Sequence, residues 1–373
     1  MNTKETLADL VKIDSVSSRS NSEIVDYLER RCQALGFSTQ RFAYHDELGV
    51  EKINLVGFAG ADLSNIELAL VGHTDTVPYD PNWSEALNLT ERNGKLYGRG
   101  SCDTKGFIAA ALSAVASIDL KTLTRPLALI FTADEEIGLR GAKHLAQLKP
   151  FRVRYSIVGE PTSLQPIRAG KGYSLAEVIV KGREAHSAYP ALGASAVFRA
   201  ARLINHLERI AAQLKSEQHD AFDPPFTTLN VGVIHGGSAK NVLAGECRFT
   251  LEWRPIPTQP SEHVLHLLNA AINEEQRADP DFICEVDASR ADSGFETPVD
   301  SRLIKLLERA TGRESGTVAF GTEGAQMRLL GSEPVVIGPG DIREAHRTGE
   351  FVPVQELEAC TGTLQQAVRE LCG

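Results

Sequence analysis

Five acidic or histidine-bearing clusters are spread along the chain: His73-Thr74-Asp75, Asp103, Asp134-Glu135-Glu136, Glu160 and His346. Imidazole nitrogens and carboxylate oxygens are the donors that zinc, cobalt or manganese accept. Two histidines and this many carboxylates suffice for two divalent cations, with one carboxylate left over to move protons. Four of the five clusters follow or adjoin a short apolar run, so they are expected to meet on one edge of a sheet.

Each cluster alone has a plainer explanation. His73 and Asp75, two apart at a strand end, face the same way. The aspartate can accept the second ring N–H of a ligating histidine, but a strand-end histidine bonded to a turn has the same pattern. Asp103 lies in Gly98-Arg99-Gly100-Ser101-Cys102-Asp103-Thr104-Lys105-Gly106, which lacks the third glycine of a dinucleotide loop and follows a hairpin. A carboxylate just before a helix is commonly an N-cap, and a bridge between two cations is the alternative. Asp134-Glu135-Glu136 follows the most apolar strand of the chain. Three acids at a buried strand end repel one another unless cations hold them. Neighbouring side chains diverge, so one glutamate can bind a cation while the next stays free as a base. A solvated acidic turn is the competing reading. Glu160, before Pro161, and His346, after Gly338-Pro339-Gly340, would singly be surface residues. No Gly-x-Ser-x-Gly elbow occurs, and Cys102 has no histidine beside it in sequence, so a serine or cysteine nucleophile has no support.

The elements that must position these groups alternate. Ser20-x-x-Glu23 predicts a capping box opening a helix that Gly36 stops. Ile66–Val71 and Pro126–Thr132 are continuous apolar runs, as strands buried on both faces require. Leu89–Tyr97, with Asn93-Gly94 inside it, predicts a hairpin. Lys105–Ile118 is an alanine-rich helix, and Tyr155–Gly159 another buried strand. This order predicts an α/β fold with a largely parallel central sheet flanked by helices. The middle of the chain has another rhythm: strand, helix Ser195–Leu214, two strands, helix Ser261–Gln276, strand. That β-α-β-β-α-β order predicts an inserted ferredoxin-like α+β domain over residues 167–288, leaving 1–166 and 289–373 as the domain carrying the clusters. The alternation resumes with a helix over 301–311, a strand over 317–320, a short helix over 324–330, a strand over 335–337 and a final helix from Val354.

The 373 residues suit two domains. A net charge of -10 disfavours nucleic-acid binding. The amino terminus shows no signal-peptide pattern, and no apolar stretch reaches the ~20 residues of a membrane span. The six scattered cysteines, without a Cys-x-x-Cys, fit reduced thiols in a cytoplasmic protein.

The chain resembles the M20 metallopeptidase and deacetylase family. The motifs run nearly end to end: Gly72-His73-Thr74-Asp75-Thr76-Val77-Pro78, Gly94–Gly98, Asp103-Thr104-Lys105-Gly106, Asp134-Glu135-Glu136, Gly159-Glu160-Pro161-Thr162-Ser163-Leu164-Gln165-Pro166, His235-Gly236-Gly237, Arg254-Pro255, and Gly338-Pro339-Gly340 with Ala345-His346. The resemblance implies two divalent ions, Zn2+ with Co2+ as an alternative. His73, Asp103 and Glu160 would hold one; Asp103, Glu136 and His346 would hold the other. Asp75 would orient His73, and Glu135 would be the general base. His186, on the insert, would steady the oxyanion in a neighbouring subunit, so the insert would also be a homodimerisation domain and a lid. Asn241 and Arg254 would contact a substrate carboxylate and Glu323 a substrate ammonium. The substrate would be a small acylated amino acid. A cis peptide is implied at Asp103–Thr104. Thr104 stands where methionine is common and Gly349 where aspartate is common; neither change removes a ligand.

Overall fold

The structure, a computed structural model, describes residues 2–373 and divides into two compact units. The first comprises residues up to 169 with 296–316 and 322–373; the second comprises 170–295 with 317–321.

In the first unit the apolar runs form the middle of a mixed sheet. Six of its nine strands lie in the order Ser38–His45, Glu51–Ala59, Leu127–Thr132, Asn65–His73, Arg152–Val158, Glu333–Val336. The last four are mutually parallel, and the first two join antiparallel. Alternate residues feed two faces. Leu68, Leu70, Leu127, Leu129, Phe131 and Ile157 pack into the main core with the helices Thr3–Lys12, Ser22–Ala34, Lys105–Ala116, Arg302–Thr311 and Val354–Cys372. Ala69, Val71, Ala128 and Ile130 are buried too. They face the other way, where the Arg140–Leu148 and Gly324–Leu329 helices pack. Burying each Leu or Ile contributes roughly 1.5–3 kcal/mol. The Lys105–Ala116 helix is buried along all but its last residue, as its alanine-rich sequence allows. It packs so closely on the strand ends that a side chain at Gly159 would collide with the Phe107 ring.

The hairpin forms as Thr90–Arg92 and Lys95–Tyr97, with Asn93 and Gly94 both at positive φ. Its second strand also pairs with Phe351–Pro353, which draws the C-terminal segment onto the loop leading to Asp103. The capping box does not form. Asn21 is the N-cap residue of the Ser22–Ala34 helix and makes no cap bond through its side chain. Its amide instead bridges to the main chain of Ile53 and to Thr74 Oγ1, so it is spent on tertiary contacts.

The second unit has the predicted β-α-β-β-α-β order. Its strands, all antiparallel, lie in the order Thr228–Gly236, Glu246–Arg254, Tyr173–Lys181, Ile283–Asp292. The helices Ala196–Leu214 and His263–Ala278 share its core with Val178, Val180, Phe249, Leu251 and Trp253. Ser195 Oγ caps the first helix at Phe198. Residues 317–321 belong to this unit because Lys171 N donates to the Val318 carbonyl and Arg254 Nη1 to that of Ala319. No helix among the described residues is long and apolar enough to cross a membrane.

Candidate active site

His73 is the last residue of its strand, which continues its ladder one step further through Thr74 N and the Thr132 carbonyl at 2.8 Å. The imidazole is buried. Nδ1 lies 3.0 Å from the Asp75 main-chain carbonyl and Nε2 3.0 Å from Asp103 Oδ1. A carbonyl can only accept, so Nδ1 carries a proton and Nε2 faces the carboxylate. The Asp75 carboxylate, expected to take that N–H, is 3.6 Å away and has other partners. It accepts from Ser17 Oγ at 2.7 Å and from the main-chain N–H groups of Glu135 and Glu136 at 3.0 and 3.2 Å. Asp75 therefore holds His73 with its backbone and the acidic turn with its side chain.

Asp103 is not a helix cap. Thr104 is the N-cap residue of the following helix, and the Asp103–Thr104 bond is cis. The carboxylate points at both histidines, with Oδ2 3.1 Å from His346 Nε2. Two residues that sequence reasoning passed over hold this loop. Glu350, fully buried, accepts from the main-chain N–H groups of Cys102 and Asp103 at 2.9 and 3.1 Å and pairs with buried Arg99. A buried Arg–Glu pair closing on the backbone of a functional residue was discernible only as two charges beside glycines in the motifs.

His346 Nε2 also lies 3.0 Å from Glu136 Oε2. Glu160, buried, lies at the start of the loop between the Arg152–Val158 and Ile167–Gly170 strands. The donor atoms fall into two sets that share Asp103: His73, Asp103 and Glu160; and Asp103, Glu136 and His346. Within each set they lie within 4.8 Å of one another. Glu135 stands beside them, outside both sets.

The electrostatics are those of a site short of positive charge. Burial raises the Glu160 and Glu135 carboxyls well above the usual range, and neighbouring acids add to this. Glu136 is raised by the same burial, against its bond with His346. Burial opposes ionisation of Asp103, yet hydrogen bonds from His346 and His73 hold it below the usual range. His346 is raised to about 10 by its bonds to Asp103 and Glu136. Burial works against a charged His73, but Asp103 outweighs it and raises that imidazole as well. Lone pairs of imidazole and carboxylate thus face one another at hydrogen-bond distance, reconciled by protons. Divalent cations would replace those protons, so the residues fit a pair of such ions.

Glu323, also in the first unit, is buried, and neither carboxylate oxygen has a hydrogen-bond partner. Burial pushes its pKa up to about 7, and it interacts electrostatically with His73, Glu135 and Glu160. His186, Asn241 and Arg254 lie on the second unit. Ala188 N donates to His186 Nδ1 at 3.1 Å, and Ser187 N donates to the Asn241 carbonyl at 3.0 Å. Arg254 donates to Glu252 at 2.8 Å, and its guanidinium sits 4.7 Å over the Tyr173 ring.

Two His-carboxylate donor sets sharing one aspartate, with a free glutamate alongside, define the class of metallohydrolases. Residues 69–370 match the description Peptidase family M20/M25/M40, and the chain belongs to that family of hydrolases. It is 51% identical over 372 residues to a Myxococcus xanthus protein named acetylornithine deacetylase, covering 99% of this chain and 97% of that one. A protein of the same name from Proteus mirabilis (strain HI4320) is 33% identical over 362 residues, covering 96% and 92%. Among solved structures, a Staphylococcus aureus tripeptidase superposes with a TM-score of 0.77 at 22% identity, covering 99% of this chain and 97% of that one. A Bacillus subtilis dinuclear metal binding peptidase from the M20 family superposes at 0.68 and 13% identity, covering 99% and 97%. These two likenesses show the shared fold.

Proposed function

We propose that this chain is a two-cation amidohydrolase that removes the acetyl group from N2-acetyl-L-ornithine, giving ornithine and acetate for arginine biosynthesis. The observation that carries the substrate is the 51% identity, over 99% of the chain, to a protein named for that reaction. His73, Asp103 and Glu160 would hold one ion, and Asp103, Glu136 and His346 the other. When bound, zinc or cobalt ions supply Lewis acidity, which polarises an amide carbonyl and makes a water molecule acidic near neutral pH.

The chain's own groups do the rest. Glu135 takes the water proton and delivers it to the leaving amine. Its raised pKa is the direction a general base at neutral pH requires. Asp75 fixes its main chain. On His186, Nδ1 already accepts a bond, so the neutral ring carries its proton on Nε2 and is a donor for the oxyanion. Asn241 and Arg254 take the substrate carboxylate. Glu323 takes the side-chain ammonium, since a buried carboxylate with two unpartnered oxygens is costly until a cation meets it.

We assign a homodimer built through the second unit, in which His186 serves the neighbouring copy. Phe198, Val233 and Ile234 expose apolar surface there, at 71%, 50% and 50%. A monomer with full activity in ultracentrifugation-matched assays would refute this. Five buried cysteines, all unpaired, suit a cytoplasmic setting.

A substrate panel tests the assignment: acetylornithine, acetylcitrulline, succinyl-diaminopimelate and acetylmethionine. Acetylornithine should show the highest kcat/KM. Glu323→Gln should lower kcat/KM for acetylornithine by about 10- to 100-fold, the worth of one charged hydrogen bond, and change acetylmethionine little. Equal losses on both would remove Glu323 from substrate selection. Preference for another panel member would overturn the substrate.

A further inference from the structure

Lys52 lies inside the Glu51–Ala59 strand and is 1% exposed. A lysine so buried needs partners. Nζ donates to Asp134 Oδ1 at 2.9 Å, to the Arg19 carbonyl at 2.8 Å and to the Ser17 carbonyl. The other Asp134 oxygen accepts from Tyr44 Oη at 2.9 Å. Asp134 is as buried as Lys52 and stands at φ 55, a left-handed conformation that surrounding contacts must hold.

The same strand grips the flanks of the acidic turn. Asn54, two residues on and on the same face, accepts from Ala133 N at 3.0 Å and donates to the Gly141 carbonyl at 3.1 Å. Ser17 joins this brace to the far side of the turn. Its carbonyl takes Lys52, and its hydroxyl donates to the Asp75 carboxylate that binds Glu135 N and Glu136 N. Glu135 and Glu136 thus sit on a backbone held from two directions, one of them a buried ion pair that ends at the preceding residue.

We propose that Lys52 is a positioning residue for the hydrolytic step: its ion pair with Asp134, closed by Tyr44, sets the main chain of Glu135 and Glu136 and so the stance of the Glu135 carboxylate. This rests on Glu135 being the base. The ion pair is a costly way to make a strand stable, because an apolar pair of similar size would serve. Geometry is what it provides.

The test uses the full chain with Lys52→Met, Asp134→Asn, the neutral double variant Lys52→Met/Asp134→Asn, and Tyr44→Phe. Three quantities are read: kcat and KM on N2-acetyl-L-ornithine, zinc affinities of the chelated protein, and the melting temperature. Lys52→Met should cut kcat about 10- to 100-fold, the usual cost of losing a group that orients a site, with KM nearly unchanged and the weaker zinc affinity reduced. The double variant, free of an unpaired buried charge, should regain melting temperature but not kcat. If Lys52→Met does not fold, the double variant and Tyr44→Phe carry the same comparison. A double variant with wild-type kcat and only a changed melting temperature overturns the proposal and leaves Glu135 untouched. An active Glu135→Gln enzyme overturns the base assignment instead.

Discussion

Glu135→Gln should lower kcat by about 10²- to 10⁴-fold, the range a positioned general base supplies, while both cation sites stay intact. The isosteric amide cannot take a proton, and Glu135 belongs to neither donor set. Its main-chain bond to Asp75 Oδ1 at 3.0 Å does not depend on the side chain, so the turn should persist. Stopped assays for acetate, paired with metal analysis of the same sample, make the measurement. A variant that turns over at the wild-type rate, or that loses its metal, would contradict the division of labour between Glu135 and Glu136.

The second large effect is on stability. In the cation-free chain Glu135, Glu136, Glu160 and Glu323 are all raised, the last to about 7, and His346 is raised to about 10. A group whose folded pKa lies above its unfolded value stabilises the fold below the unfolded pKa, and that contribution is lost as pH rises through the folded pKa. All five act in the same direction. Chelated protein should therefore lose stability from about pH 4.5 toward pH 8, above which buried Lys105, lowered to about 8 by its burial, acts the other way. Asp103 shifts the other way, but its window lies on the acid side of the usual carboxylate range. Cations replace the protons, so the stabilisation on loading should grow over that pH interval. Each site should contribute about 2.7 kcal/mol at a hundredfold excess over Kd. Melting curves at several pH values, with and without chelator, report it. Chelated and loaded protein with parallel pH profiles would show that Glu136, Glu160 and His346 are not cation ligands.

Much of this was legible because buried strands leave uninterrupted apolar runs. Asn65–His73 and Leu127–Thr132 end in polar residues at the point where side chains leave the core, so His73 and Asp134-Glu135-Glu136 announced a shared edge. The Glu51–Ala59 strand was less visible, since Lys52 and Asn54 interrupt its apolar pattern; both are buried for the sake of the acidic turn. Glu350 and Arg99 were invisible as a brace because 251 residues separate them. The Asp75 carboxylate was expected at His73 from spacing alone. Spacing places a residue on a face but does not decide whether its backbone or its side chain makes the bond. Asn21 shows the same limit: a local capping pattern lost to partners at Ile53 and Thr74.

The most direct measurement is a cation titration of chelated protein, reading bound equivalents and acetate released from N2-acetyl-L-ornithine together. Two equivalents of zinc or cobalt per chain should bind, and turnover should rise with them. Full turnover in chelator, or saturation at no bound cation, would contradict a site built from His73, Asp103, Glu136, Glu160 and His346.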